Sequence, residues 1–290
     1  FLLALELLPR REHAFWAAGA FSLHPFIIPF NVYVLQEPLL LCVTTWALLF
    51  SVRLLKSASR FDAVLCGVLW GICILGKAVA WFGPFLLFLF LLRRAVKPAL
   101  LMLALALITV LPWTARNYAV LGRFVPVNDQ GAGALEWYIA RGAHAAAGGG
   151  EFVAELHSKN LPEEEYRKEL LSFIVERPTL VFKQSLTNAL RFTQLDREWY
   201  GKMAGLSMRW YYWVLPFLAL QLPLYMGFAL SLRVFNVQIL FLGAFYLLYW
   251  LQYALYWGEP RFAVPVYPVL LCLGVYGLLS SYRRKTGATA

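Results

Sequence analysis

The chain has 290 residues, 61% of them hydrophobic and only 14% charged, with a net charge of +10 and a mean hydropathy of +0.62. A soluble domain carries roughly 25% charged residues, so this composition excludes one and indicates an all-α polytopic membrane protein. The positive balance does not indicate nucleic acid, because the lysines and arginines sit at the ends of apolar runs.

In chain order, "FLLALELL" at 1–8 reads as the tail of a helix already under way, which predicts further chain before Phe1. It lacks the basic start and small-residue cleavage site of a signal peptide. Apolar runs then predict spans at 14–30, 38–55, 62–78, 80–92, 99–115, 210–232, 237–255 and 263–280. The 80–92 run falls short of the roughly 20 residues a bilayer requires. It is expected to tilt, to extend past Trp81, or to cross incompletely. Alternating loops hold Arg10 and Arg11; Arg53, Lys56 and Arg60; Arg93, Arg94 and Lys97; Arg233; and Arg283, Arg284 and Lys285, against only Lys77 and Arg261 in the short loops between. Twelve against two places the first set in the cytoplasm. Three regions follow: membrane helices over 1–115, an extracytoplasmic segment over 116–208, and membrane helices with a short cytoplasmic tail over 209–290.

Within the outer segment, "NDQGAGALEWYIARGAHAAAGGG" predicts loop with short helices. Pro162 with Glu163, Glu164 and Glu165 predicts a helix start, and Leu170, Leu171, Ile174 and Val175 continue at helical spacing. Pro178 breaks that pattern. Beyond it, Leu180, Val181, Leu186 and Leu190 predict a second helix along the membrane surface. The four cysteines (Cys42, Cys66, Cys73, Cys272) lie within apolar spans at spacings of no metal or redox motif and read as buried packing residues.

Four polar places fall at the outer face: His24 to Glu37, Lys77, Arg116 with Asn117 just past a span end, and Glu259 with Arg261. Such a set suits an anionic lipid head group, since arginine grips phosphate through a fork of donors. Each residue also has a plainer reading. Glu37 stands equally for a helix-dipole partner ahead of Pro38, a gain of only ~0.3–1 kcal/mol. Arg116 taken alone is an interfacial anchor, Lys77 is an ordinary span-end lysine, and His24 is a hydrogen-bonded packing residue.

Three stretches, in order, resemble the GT-C superfamily of polytopic glycosyltransferases, and within it the dolichyl-phosphate-mannose protein mannosyltransferase-like branch that includes the lipid A aminoarabinose transferase. They are "LHPFIIPFNVYVLQEPLLL", "LPWTARNYAVLGRFVPVNDQGAG" and "EPRFAVPVYPVLLCLGVYGL". The resemblance implies a GT-C-like helix bundle with an extracytoplasmic loop domain of short helices, in the plasma (inner) membrane. It implies transfer of a sugar from a polyprenyl-phosphate-linked donor to a lipid, glycan or protein acceptor, with inversion. It gives Glu37 an active-site role beside acceptor, phosphate or metal. Arg116, Arg261 and Lys77 would face the donor phosphate, with Asn117 supporting Arg116, and Gly131 and Gly133 would lie in a loop over the site. The main catalytic acid of these enzymes is expected upstream of Phe1. Asp129 stands where relatives have small polar residues and reads as a surface turn residue or as an extra acid. A divalent cation is known in the superfamily, but no carboxylate cluster is visible here, so none is assigned. The alternatives are a transporter or flippase for a lipid-linked or anionic solute, which requires charged or broken mid-membrane positions, and a non-catalytic membrane subunit.

Overall fold

The computed structural model describes residues 1–24, 27, 36–128, 131–140, 142–193, 214–215, 217–256 and 258–286. Among these residues all regular structure is helical, with no strand. Four helical stretches are long and apolar enough to cross a membrane: Glu37–Ser57, Val96–Leu121, Val237–Leu255 and Pro260–Tyr282. The protein is therefore a helical, membrane-embedded one. The helices form two compact units, one of Phe1–Val127, Arg197–Tyr249 and Ala263–Ala290, the other of Asn128–Asp196 with Trp250–Phe262.

The first unit opens with α1 (Leu2–Leu7) and α2 (Arg11–Ser22), followed by α3 (Glu37–Ser57) and α4 (Arg60–Gly76). Ala58 in the left-handed region and a Ser59 side chain that accepts from the Asp62 amide turn α3 into α4 within two residues. At this end Glu6 of α1 meets Arg53 at 2.9 Å and Lys56 at 2.8 Å. Burial opposes the Glu6 charge, yet hydrogen bonds from Lys56 and Arg53 hold its carboxyl below the usual range.

A 3₁₀ turn over Ala78–Trp81 leads into α5 (Phe82–Leu91), and then comes α6 (Val96–Leu121). The expected 80–92 span is thus a composite. The expected 99–115 span runs on to Leu121, through Pro112, until Gly122 (φ +65°) ends it. A membrane helix tolerates such a proline because neighbours and hydroxyl side chains meet the freed backbone groups. The first expected span differs more: α2 stops at Ser22, and residues 25, 26 and 28–35 lie outside the described set.

Helices α4 and α6 run parallel and touch through glycine. A Cβ on Gly67 would stand 2.9 Å from the Leu105 Cβ, and one on Gly71 would stand 2.8 Å from Thr109 Cγ2. The "GVLWG" run that holds both is a close-packing motif of membrane helices. A second parallel pair joins α12 (Leu222–Ser231) to α15 (Tyr267–Thr286), which follows the single turn α14 (Pro260–Ala263); here Gly227 lies against the Gly274 backbone and Gly277 against that of Gly227. Between them α13 (Val237–Leu255) supplies aromatic packing, with Phe245 5.4 Å from the fully buried Trp70. The Trp70 indole donates to Ser51 Oγ at 3.1 Å, and that hydroxyl donates to the Ala47 carbonyl at 2.7 Å.

The second unit holds α7 (Gly131–Ile139), α8 (Gly142–Ala145), α9 (Gly149–Ser158), α10 (Glu163–Val175) and α11 (Pro178–Phe192). Its core is Tyr138, Ile139, Leu156, Leu170 and Phe173. As the sequence predicts, α10 follows Pro162 and a new helix starts at Pro178.

Candidate functional site

Helix α3 begins at Glu37, and α4 ends at Gly76, closed by the extended backbone of Lys77 (φ −155°). The two-residue turn makes the helices antiparallel neighbours, so the start of one lies beside the end of the other. Lys77 Nζ stands 3.9 Å from Glu37 Oε1, with the side chains 16% and 2% exposed. The pair is electrostatic at that distance rather than hydrogen-bonded. The α3 dipole favours the same carboxylate, as the capping reading expects.

The adjoining residue, Pro38, lines an apolar cavity of about 450 Å³. Leu41, Cys42, Thr45 and Trp46 continue its wall along α3, opposite α1, α2 and the Pro268–Cys272 part of α15. Cys42 is the exception among the cysteines. Cys66, Cys73 and Cys272 are buried as expected, whereas Cys42 is exposed, on the α3 face that bounds this cavity.

Arg116 and Asn117 lie within α6 instead of beyond it. The parallel α4–α6 register puts Lys77 about level with the stretch that leads to them. Asn117, buried at 3% exposure, donates to the carbonyls of Val125 at 3.0 Å and Val127 at 3.1 Å. Trp113 Nε1 donates to the Val127 carbonyl at 2.7 Å and Thr114 Oγ1 to the Pro126 carbonyl at 2.8 Å. The chain after Gly122 is thus folded back along α6. Arg116 is exposed, lies 5.2 Å from the Trp113 ring and donates to Asn117 Oδ1 at 3.2 Å. Asn117 thus accepts from Arg116 while its amide group fastens the returning chain to α6.

In the second unit, Arg261 Nε stands 2.8 Å from Glu259 Oε2, and its guanidinium lies 4.8 Å from the Phe262 ring. An incoming phosphate would compete with that carboxylate. The loop is clamped from behind. Tyr253 stacks between Phe262 at 4.7 Å and Phe192 at 5.8 Å, and a Cβ on Gly258 would overlap the Asn188 carbonyl. Gly131 and Gly133 open α7 and so belong to a helix rather than a loop. Asp129 lies outside the described residues. Among the described residues no three His, Cys, Asp or Glu side chains group to hold a metal ion.

His24 is buried, with Nε2 2.6 Å from the Tyr267 hydroxyl, which fits the packing reading. The partner was not readable in sequence, since the tyrosines resemble a membrane-interface belt. The hydroxyls of the partly covered Tyr225 and the buried Tyr246 likewise lie 3.0 Å apart. Set against protein-family models, curated proteins and solved structures, the chain gives no match.

Proposed function

We propose that the chain is an integral-membrane glycosyltransferase that moves a sugar from a polyprenyl-phosphate donor to a lipid, glycan or protein acceptor on the extracytoplasmic face of the plasma membrane. One observation carries this reading: a buried acid–base pair, Glu37 with Lys77, at the end of a helical hairpin away from the basic loops and next to an apolar cavity. Charge at the head and hydrocarbon behind it match an amphiphile with a phosphate. The three motifs quoted above supply the reaction class.

In the reaction, the bond between the anomeric carbon and the phosphate oxygen breaks, and negative charge grows on the departing phosphate. Cations that meet this charge more strongly in the transition state lower the barrier. Lys77 is desolvated and so acts at close to full strength. The exposed Arg116 is available to close on the phosphate. Glu37 orients the acceptor or the phosphate beside Lys77; the acceptor oxygen bonds to the anomeric carbon as the phosphate leaves, and the proton of its hydroxyl passes to a carboxylate base.

The test is saturable binding of a labelled short-chain polyprenyl monophosphate to the purified chain in nanodiscs, with the uncharged prenol as control. The monophosphate should bind and the prenol should not. Lys77→Ala and Arg116→Ala should each weaken binding by about tenfold or more, the loss expected for one charge-assisted contact. Equal binding of phosphate and prenol overturns the proposal.

A further inference from the structure

Helix α11 turns Ala189 and the fully buried Phe192 inward together with two polar side chains, and an apolar stripe outward. Its buried face carries Gln184 (4% exposed) and Asn188 (1% exposed). Gln184 Oε1 accepts from the Ala143 amide at 2.7 Å, and Gln184 Nε2 donates to Asn188 Oδ1 at 3.2 Å. The outer face carries Phe182, Leu186 and Leu190 at i, i+4, i+8, exposed by 70%, 52% and 48%. Lys183 is exposed on the same arc.

Several facts select what covers this stripe. Three half-exposed side chains offer about 300 Å² of apolar area, well short of the ~800 Å² per partner of a stable protein interface, so a second copy is a poor occupant. A narrow apolar arc beside a lysine is what a helix lying in a head-group layer requires. The chain passes between the two units at Val127/Asn128, Asp196/Arg197, Tyr249/Trp250 and Phe262/Ala263. At Tyr249/Trp250 the connection is helix α13 itself, which has membrane-crossing length. The bilayer is then present at high effective concentration, and a few side chains suffice to engage it.

We infer that α11 is the foot by which the second unit stands on the bilayer: Phe182, Leu186 and Leu190 enter the boundary between head groups and acyl chains, Lys183 meets anionic head groups, and the inner face thereby holds the Arg261 loop in place. The last link is the Asn188 backbone against Gly258, three residues before Arg261. The inference requires membrane embedding alone and stands apart from the proposed sugar transfer. It also moves the lipid-facing side of this helix from Leu180 and Val181, which are partly covered, to Phe182.

The experiment uses the whole chain in nanodiscs, with Cys42→Ala as background. Nitroxides are placed at Leu186→Cys and, for comparison, at the exposed Lys168→Cys on α10. At 186 the oxygen-to-nickel-chelate collision ratio should be severalfold above that at 168, and higher in anionic than in zwitterionic lipid. In the same preparation, Phe182→Glu with Leu186→Glu should speed amide exchange of 256–262 severalfold while leaving the 149–175 core unchanged. Nickel access at 186 equal to that at 168 overturns the inference, since the face is then solvated. So does exclusion of both reagents, since protein then covers it. Unchanged exchange in 256–262 removes the link to the Arg261 loop.

Discussion

Glu37 and Lys77 would each be costly to bury alone, and each is tolerable because the other is there. Removing one partner of a buried pair costs about 3–5 kcal/mol, and the 3.9 Å gap sets this pair at the lower end. Glu37→Gln or Lys77→Met should therefore lower the melting temperature in detergent, and the double variant should recover most of the loss. If the pair also serves the proposed function, the recovered double variant will not bind polyprenyl phosphate; wild-type binding would reduce the pair to scaffolding. His144 shows the opposite arrangement. It is fully buried with its ring 4.8 Å from that of Tyr138, and burial, aided by nearby Arg177, pushes its pKa below the ordinary histidine value. The unfolded chain consequently takes up the proton first. Stability of the second unit is complete above the ordinary value of about 6.5 and declines as pH falls below it. Thermal melts followed by hydrogen exchange over 131–192 should show earlier opening at pH 5.5 than at 7.5, and His144→Phe should flatten that dependence.

At the scale of elements, glycine decides which helices touch. A Cβ on Gly71 would press on Thr109 and on the Ala106 carbonyl 2.9 Å away, while one on Gly133 meets nothing within 4 Å. Gly71→Val should destabilise the first unit by about 1–3 kcal/mol or more through overpacking. Gly133→Ala should be neutral or stabilise α7 by up to about 0.5 kcal/mol. Denaturation of the two purified variants separates them. The same helices show what could be read beforehand. Composition alone located α3, α13 and α15 within a few residues, because a long apolar run between charged loops has one outcome in a bilayer. The end of α6 was misplaced because Pro112 and Arg116 look like terminators in water, whereas a membrane helix runs through both. The closeness of Glu37 and Lys77 follows from counting alternate loops. The pairing of Arg261 with Glu259 does not, since it depends on the irregular backbone of a short loop. The contact of Gly258 with Asn188 was likewise invisible, because its two halves lie 70 positions apart.

For the whole molecule, the distribution of basic residues predicts one orientation. Arg53 and Lys56 lie at one end of the α3–α4 hairpin and Lys77 at the other, as the alternation requires. A membrane-impermeant thiol reagent applied to intact cells should label Lys168→Cys and leave Lys97→Cys untouched until the cells are opened. The reverse pattern would put the second unit in the cytoplasm and overturn the proposed extracytoplasmic site. The helices also differ in how they meet lipid. The α6 window is 22% buried and that of Pro260–Tyr282 is 72% buried. The glycine-bearing α4 thus anchors a helix that otherwise faces outward, while α15 lies inside the bundle. Loss of the α4–α6 contact should accordingly release α6 without opening the centre.

The doubled-back segment after Gly122 gives the exit from α6 a particular mechanical character. Trp113, Thr114 and Asn117 seize the carbonyls of 125–127 much as a rope's end is lashed to its own standing part. A pull from beyond Asn128 therefore arrives as shear across four short lashings instead of as bending at a hinge, and the bundle meets it with the full length of α6.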